Sequence, residues 1–596
     1  MKGANIVPTE AMLLEHLSEA AVKNIIAWLN ESKYAEYKDE LLELIQQQRW
    51  QLLEDAFFKV IEFGTAGRRG TTGIGSNRIN KVTIGESAQA LCEYALSVEP
   101  EAAKKGIVIA YDTRLSSVEL SNYVAEVCAG NDFKTYLFES FRSTPELSFA
   151  VRHLDAAAGI VISASHNPPA DNGFKVCWTD GGQLVAPHDK GVLAIAEKLN
   201  EIKTSSLEDE LRSGKIIYVG TEVDEAYIAA AASQTEGVER KVKIVYSPLH
   251  GAGQTNVLPV LKATGFKDIT VVEAQMTPDG NFPSIPSGKP NPEEKAANDL
   301  AVAQLLAQKA DIAITNDPDA DRFGVMVRNK EEVVYLTGNQ SAILAADYVL
   351  NKIQQKGALS SDHYIAKTIV TTDMLDALAR YYGVRCYGNM LIGFKYISEL
   401  IRKKEGTGEV FVLGAEESFG LLKGDYARDK DGATGALPLA EYAAELKLQG
   451  KTLYDRLLEL FSKHGLYVEY LSNAYFEGAS GFEKMQTVMG NLRAMPPAEI
   501  AGHRITAVLD YKTLIRREIA MGTESSIDCI AGNVVVFELD GDPRRRITIR
   551  PSGTEPKLKF YVQWFENADN DIEEKYLETM KLLETLAGSL EKHVLK

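Results

Sequence analysis

The sequence predicts an α/β protein: three similar mixed α/β domains in series, a C-terminal α+β domain and a helical N-terminal extension. Three observations carry this. Through most of the chain, short β-branched runs alternate with longer Ala/Leu/Glu stretches, the pattern of strands crossing over through helices into parallel sheets. Six of those runs end abruptly in a polar or glycine-rich loop and fall into three pairs. After about Gly478 the texture changes to ITAVLDY, NVVVFELD and RRITIRPSGTEPKLKFYVQW, which suit antiparallel strands. At 596 residues the chain is also too long for one core, at about 100 to 200 residues per domain.

From residue 1 to 58, Leu13, Leu14 and Leu17, then Ile25, Ile26, Trp28 and Leu29, then Leu41, Leu42, Leu44 and Ile45 fall at helical spacing with charges between them. This extension either packs on the first domain, mediates self-association, or does both. Domain I (59–210) carries GIVIAYDTR and GIVISASHNP, domain II (225–338) VKIVYSPLHGAG and DIAITNDPDADR, and domain III (339–465) YIAKTIVTTD and EVFVLGAEESFG. Domain IV (478–596) closes with an amphipathic helix through Ile572, Tyr576, Met580, Leu583, Leu586 and Leu590. In an open parallel sheet the loops leaving the carboxyl ends of the strands form the ligand crevice, so the site is expected there.

Net charge is −18, from 65 Lys plus Arg against 83 Asp plus Glu, which argues against a nucleic-acid or anionic-membrane protein. Five scattered cysteines without a CxxC suggest neither a disulfide scaffold nor a thiolate zinc site, and fit a reducing, cytoplasmic setting. Glu10 and Glu15 stand where a signal peptide needs an apolar core, and no 18-residue apolar run occurs. No nucleic-acid or membrane partner is therefore expected.

Asp317, Asp319 and Asp321 follow a buried-strand run at i, i+2 and i+4, and three carboxylates this close repel unless a cation sits between them. A Mg²⁺ site is the natural reading. An EF-hand is excluded because Arg322 and Arg328 stand where Gly and Glu are required. Ser165, in Ser163-Ala164-Ser165-His166-Asn167-Pro168, presents a hydroxyl just past another buried strand; taken alone, the motif reads first as a turn serine making a local cap. Arg550-Pro551-Ser552-Gly553-Thr554 with Lys557 offers a guanidinium, hydroxyls and a close-approaching backbone, which suit a phosphate dianion. Glu416, Glu417 and Ser418 suit either sugar hydroxyls or a helix cap, and Arg428-Asp429-Lys430-Asp431 is by default an exposed charged turn. Glu445 ahead of Gly450-Lys451-Thr452 and Asn256 after Gly251-Ala252-Gly253 break the ATP and NAD fingerprints.

Taken in order, SASHNPPADNGFKV, NDPDADR, GAEESFG and RPSGTEPKLKFY resemble the phosphoserine, metal, sugar and phosphate-binding loops of the α-D-phosphohexomutase superfamily, and FGTAGRRG is similar to its phosphoglucomutase-2 and phosphopentomutase branch. The resemblance spans roughly Phe63 to Trp564 and implies four domains around a central cleft. It implies that Ser165 carries the transferable phosphoryl group and shares Mg²⁺ with Asp317, Asp319 and Asp321, and that Arg69, His166 and Lys175 surround that group. It further implies that Arg322 belongs to the metal loop, that Gly393, Glu416, Ser418 and Lys430 meet the sugar phosphate, and that Arg550, Ser552, Gly553 and Thr554 cradle the second phosphate. Ile392 stands before Gly393 where members of the superfamily commonly carry Thr, so the resemblance leaves one sugar contact open. The expected enzyme is a phosphosugar mutase on glucose 1-phosphate and glucose 6-phosphate with a sugar 1,6-bisphosphate as activator and intermediate, acting as a monomer or a homo-oligomer. Phosphopentomutase, phosphomannomutase and bisphosphate synthase activities remain alternatives.

Overall fold

The structure is a computed structural model that describes residues 8–62, 67–199, 201–476, 481–552, 556–568 and 571–595. The three pairs of runs become three pairs of neighbouring parallel strands. Ile107–Tyr111 lies beside Ala158–Ile162, Ile244–Ser247 beside Ile312–Asn316, and His363–Lys367 beside Val410–Glu416. In each sheet the second strand of the pair also takes an antiparallel neighbour: Asp171–Cys177, Phe323–Asn329 or Gly420–Lys423. The first takes a parallel one: Thr135–Phe138, Ile269–Val271 or Arg385–Tyr387. One four-strand order therefore recurs three times, as the pairing of the runs predicts.

These strands read as continuous apolar runs because both faces are covered. In Ile107–Tyr111, Val108 and Ala110 pack with Leu147, Ala150 and Val151, whereas Ile107 and Ile109 pack with Leu91, Val124 and Cys128. Ile216–Val219 pairs with Thr135–Phe138, so the first sheet runs past the expected limit at 210.

The fourth sheet is antiparallel. It runs from Leu466–Tyr475 through Lys557–Glu566, Asp542–Pro551, Val535–Leu539, His503–Asp510 and Ile515–Glu518 to Glu524–Ser526. It begins ahead of 478 because LYVEYLSNAY pairs along its whole length with Lys557–Glu566. Helix Ile572–Val594 buries Leu583, Leu586 and Leu590 against it. Asp373 of the third unit joins this sheet to the rest, bonding Arg546 at 2.5 and 2.8 Å and Lys367 at 2.7 Å.

The extension folds as helices Glu10–Leu14, Glu19–Asn30, Lys38–Gln46 and Trp50–Phe57 around Leu13, Trp28, Leu41, Leu53 and Phe57. Of the roles expected for it, packing on the first domain is the one observed. Ile74 enters its core, and Lys33–Glu86 at 3.0 Å and Arg78–Asp55 at 2.5 Å cross the boundary. No helix among the described residues is long and apolar enough to cross a membrane.

Candidate active site

Because the central strands of each pair run parallel, their following loops leave on one side of each sheet, and the three sheets bring those loops together. Ser165 follows Ala158–Ile162 and is buried, in the left-handed region at φ 53°. Its backbone N donates to Ser163 Oγ at 2.8 Å, and its Oγ donates to Asp317 Oδ2 at 2.5 Å and lies 3.2 Å from His166 Nδ1. A strained backbone held this way aims the hydroxyl at the neighbouring domain instead of at a local cap.

Asp317, Asp319 and Asp321 are all buried, and an oxygen of each lies within 4.8 Å of the others. Lys175, delivered by strand Asp171–Cys177, reaches Asp319 Oδ2 at 2.5 Å and Asp321 Oδ2 at 3.5 Å, and Lys430 reaches Asp321 Oδ2 at 2.8 Å. Thr144 Oγ1 adds a hydrogen bond to Asp319 Oδ2 at 2.6 Å. Two ammonium groups thus face three carboxylates, yet Asp319 Oδ1 and Asp321 Oδ1 are buried without any hydrogen-bond partner. Orphaned hard oxygens beside an oxygen-only donor set fit a Mg²⁺ ion.

The electrostatics separate the groups. Burial, then Asp321 and Asp319, push the Asp317 carboxyl well up, whereas Lys175 overcomes the burial of Asp319 and holds it well down. Burial, then the Arg322 and Arg69 cations, drive His166 far below the ordinary histidine value, which leaves a neutral imidazole beside Ser165 at neutral pH. Arg69 pairs in register with Gly173 and donates to Asn167 Oδ1 at 3.2 Å. A Cβ on Gly173 would lie 2.6 Å from the Ser163 carbonyl, so glycine lets this strand pass the loop. The metal loop is braced similarly. A Cβ on Gly251 would lie 2.3 Å from Pro318 Cα, and Ala252 N donates to Pro318 O at 2.7 Å.

Glu416 ends strand Val410–Glu416, buried beside Lys430. An added Cβ at Gly420 would meet Lys430 Cδ at 2.4 Å and Glu416 Oε2 at 3.5 Å. Burial raises the Glu416 carboxyl against the pull of Lys430 and Arg322. Arg322 N donates to Asp317 Oδ1 at 3.0 Å, and its Nε lies 3.9 Å from Asp321 Oδ1. The expectation of an exposed charged turn at 428–431 is overturned, because all four side chains are buried. Arg428 pairs with Glu405, Asp429 accepts from Gln183 of the first domain at 2.7 Å, and Asp431 accepts from Tyr227 at 2.7 Å. Charges that look solvated in sequence are here paired in the interior, Arg428 within the third domain, Lys430 with Asp321 of the second, and Asp429 and Asp431 with polar groups of the first and second.

Gly393, at φ 132°, starts helix Phe394–Lys404 outside this cluster, and Ser418 is half-buried one turn beyond Glu416. Arg550 lies on strand Asp542–Pro551 facing that helix. Burial lowers the Lys395 ammonium, and Arg550 adds to the effect. Ser552 follows the strand, while Gly553 and Thr554 lie outside the described residues. Sequence reading missed Thr144 and Arg114. Thr144 looks like an ordinary helix start in STPEL, but Arg114 carried a signal, being a charge at the end of the buried run GIVIAYDTR.

Family descriptions of phosphoglucomutase/phosphomannomutase α/β/α domains I, II and III match residues 60–203, 225–330 and 337–464. A phosphoglucomutase of Staphylococcus aureus is 35% identical over 511 residues, covering 85% of this chain and 90% of that protein. The chain belongs to the phosphoglucomutase/phosphomannomutase family. It is accordingly a phosphohexomutase, an isomerase of the phosphotransferase type. A phosphoglucomutase of Staphylococcus haemolyticus is 34% identical and covers 90% of the chain and 98% of its own length. Among solved structures, a putative phosphomannomutase from Thermus thermophilus superposes with a TM-score of 0.65 at 22% identity, covering 90% of this chain and all of that one. The open form of Paramecium parafusin reaches 0.65 at 17% identity over 88% of this chain and 94% of its own. Both share the fold of three α/β domains in series with a β-rich domain at the end.

Proposed function

We propose that this phosphohexomutase interconverts glucose 1-phosphate and glucose 6-phosphate through a phosphoserine at Ser165 and a glucose 1,6-bisphosphate intermediate. The observation that carries the reading is the buried Ser165 hydroxyl 2.5 Å from Asp317, beside the two orphaned oxygens of Asp319 and Asp321. Asp317, Asp319 and Asp321, with an oxygen of phosphorylated Ser165, would hold Mg²⁺, which when bound neutralises phosphoryl oxygens. The glucose preference rests on the relatives of about a third identity, which are phosphoglucomutases.

In the first half-reaction a sugar hydroxyl oxygen bonds to phosphorus as the Oγ–P bond of phosphoserine breaks, and the hydroxyl proton passes by way of neutral His166 to Ser165 Oγ, giving the bisphosphate and a free serine. In the second the bisphosphate, turned end for end, bonds its other phosphorus to Ser165 Oγ as the sugar O–P bond breaks, and the serine proton passes by way of neutral His166, at 3.2 Å, to the departing sugar oxygen, giving the product monophosphate and the phosphoserine. Arg69, Lys175 and Arg322 supply positive charge where the transferring group gains negative charge. Glu416, Ser418, Lys430 and the Gly393 turn read sugar hydroxyls in both orientations, and Arg550, Ser552, Gly553 and Thr554 hold the idle phosphate.

Coupled assays on glucose, mannose and ribose 1-phosphates, with and without Mg²⁺ and glucose 1,6-bisphosphate, rank the substrates. A higher kcat/KM for mannose or ribose 1-phosphate would reassign the sugar. Intact-mass measurement should find a phosphoryl adduct that Ser165→Ala abolishes, with activity falling by about 10⁴-fold or more, the scale for a lost nucleophile. An adduct that persists in Ser165→Ala would refute the mechanism.

A further inference from the structure

Arg114 is buried in the first domain and touches none of the groups that would react, yet it is bonded to the loop that carries Ser165 more extensively than any other side chain described. Its Nη2 donates to the carbonyls of Ser165 at 2.6 Å and Asn167 at 2.5 Å, and its Nη1 donates to those of Pro168 at 2.7 Å and Asp171 at 2.8 Å. The guanidinium thus gathers four backbone oxygens from seven residues of chain. Asp112 fixes the arginine in turn. Its Oδ1 accepts from Arg114 N at 3.0 Å, and its Oδ2 lies 3.2 Å from Arg114 Nε.

The guanidinium, bonded at its edges, lies over a residue of the second domain, the buried ring of Phe282, with 5.3 Å from Cζ to the ring centroid. The backbone beside that ring is equally close, since a Cβ on Gly280 would lie 2.5 Å from Leu115 N and 2.8 Å from Arg114 Cα. His250 secures the loop that carries Phe282, with Nδ1 2.9 Å from Thr277 O and Nε2 2.8 Å from Ser284 Oγ. The residues after His250, Gly251 and Ala252, are those that brace Pro318 in the metal loop. A continuous chain of contacts therefore runs from the Ser165 carbonyl through Arg114, Phe282 and His250 to the loop bearing Asp317.

We propose that Arg114 is a positioning residue that sets the register of the Ser165 loop against the metal loop, using Phe282 as its platform on the second domain. This rests on the mutase reading above. Lysine, a point charge with three donors, cannot span four carbonyls arranged around a planar fork.

The test is Arg114→Lys in the full-length enzyme with Mg²⁺ and glucose 1,6-bisphosphate. Misplacing a reacting group by about 1 Å costs about 10²-fold, so kcat for glucose 1-phosphate should fall on that scale. KM should stay within about threefold, because the sugar and distal phosphate contacts lie elsewhere. The fraction of Ser165 carrying phosphate at turnover, read by intact mass, should fall with kcat. A folded Arg114→Lys with parental kcat, or one changed only in KM, overturns the proposal. If Arg114→Lys does not fold, Phe282→Ala, which leaves the four hydrogen bonds in place, is judged by the same split. Failure of the mutase reading is distinguishable, since it would appear in the unsubstituted enzyme as no isomerase activity or no adduct on Ser165.

Discussion

The two ends of the proposed substrate site are built differently. At the Ser165 end, buried charges from three domains bond one another directly: Lys175 from the first and Lys430 from the third meet Asp319 and Asp321 from the second at 2.5 and 2.8 Å. At the other end Arg550 stands on a strand of an antiparallel sheet that joins the third domain through Asp373 and Arg546, away from the charge cluster. A phosphoryl group in transit needs fixed, dry, preorganised charge, because misplacement is costly. A phosphate that must be held, released and exchanged for its twin needs a grip that can come and go. The division of the fold matches that division of labour.

Removing a cation from the preorganised end should give the largest effect on the protein itself. Lys175→Met takes from buried Asp319 the ammonium that bonds it, leaving the Thr144 hydroxyl as its hydrogen-bond donor and Lys430 acting only through space, and breaking a buried ion pair costs about 3 to 5 kcal/mol. Thermal melting of the metal-free variant should fall accordingly, and Mg²⁺ should restore more of the loss than it adds to the parent. If Lys175→Met melts like the parent without metal, the charges at this end are not coupled as described.

Arg550→Ala should do the reverse. It is not part of the buried cluster, so melting should barely move, while KM rises by roughly 10- to 100-fold, the worth of a charge-assisted contact to phosphate of about 1.5 to 3 kcal/mol. Steady-state kinetics on glucose 1-phosphate would check this. A fall in kcat at unchanged KM would show that the two ends do not divide the work.

The sequence made one kind of information legible and hid another. Strand pairs such as GIVIAYDTR and GIVISASHNP stood out because buried parallel strands are unbroken apolar runs, and the structure makes each pair neighbours. Thr135–Phe138, Ile269–Val271 and Arg385–Tyr387 did not, being only three or four residues long. Ser165 and the three aspartates were recognisable because their residue types are odd after an apolar strand. What a charge pairs with was not, since partners lie far apart in sequence. Asp429 finds Gln183, Asp319 finds Lys175, and Arg114 finds the carbonyls of residues about fifty positions on. Hence 428–431 reads as a solvated turn although it is interior.

The smallest expected effect lies on the seam between the two ends. Glu469, on edge strand Leu466–Tyr475, lies beside Thr372 and Asp373. Burial, helped by Asp373 and opposed by the Thr372 hydrogen bond, Lys367 and Arg546, raises its carboxyl from 4.5 to about 7. A group whose folded value is raised binds its proton more tightly in the native state. Its stabilisation is therefore full below the unfolded value near 4.5 and is lost as pH rises through about 7. Glu469→Gln, a permanently neutral isostere, should flatten the melting temperature between pH 5 and 7.5 relative to the parent, by less than about 1 kcal/mol of stability once relaxation at a seam is allowed for. Asp319, held ionised by Lys175, should titrate only in stronger acid. Parallel melting-against-pH curves for the parent and Glu469→Gln decide the matter. Superimposable curves would mean that this carboxyl is ionised throughout the range, and that the seam is as firmly set by charge pairs as the centre.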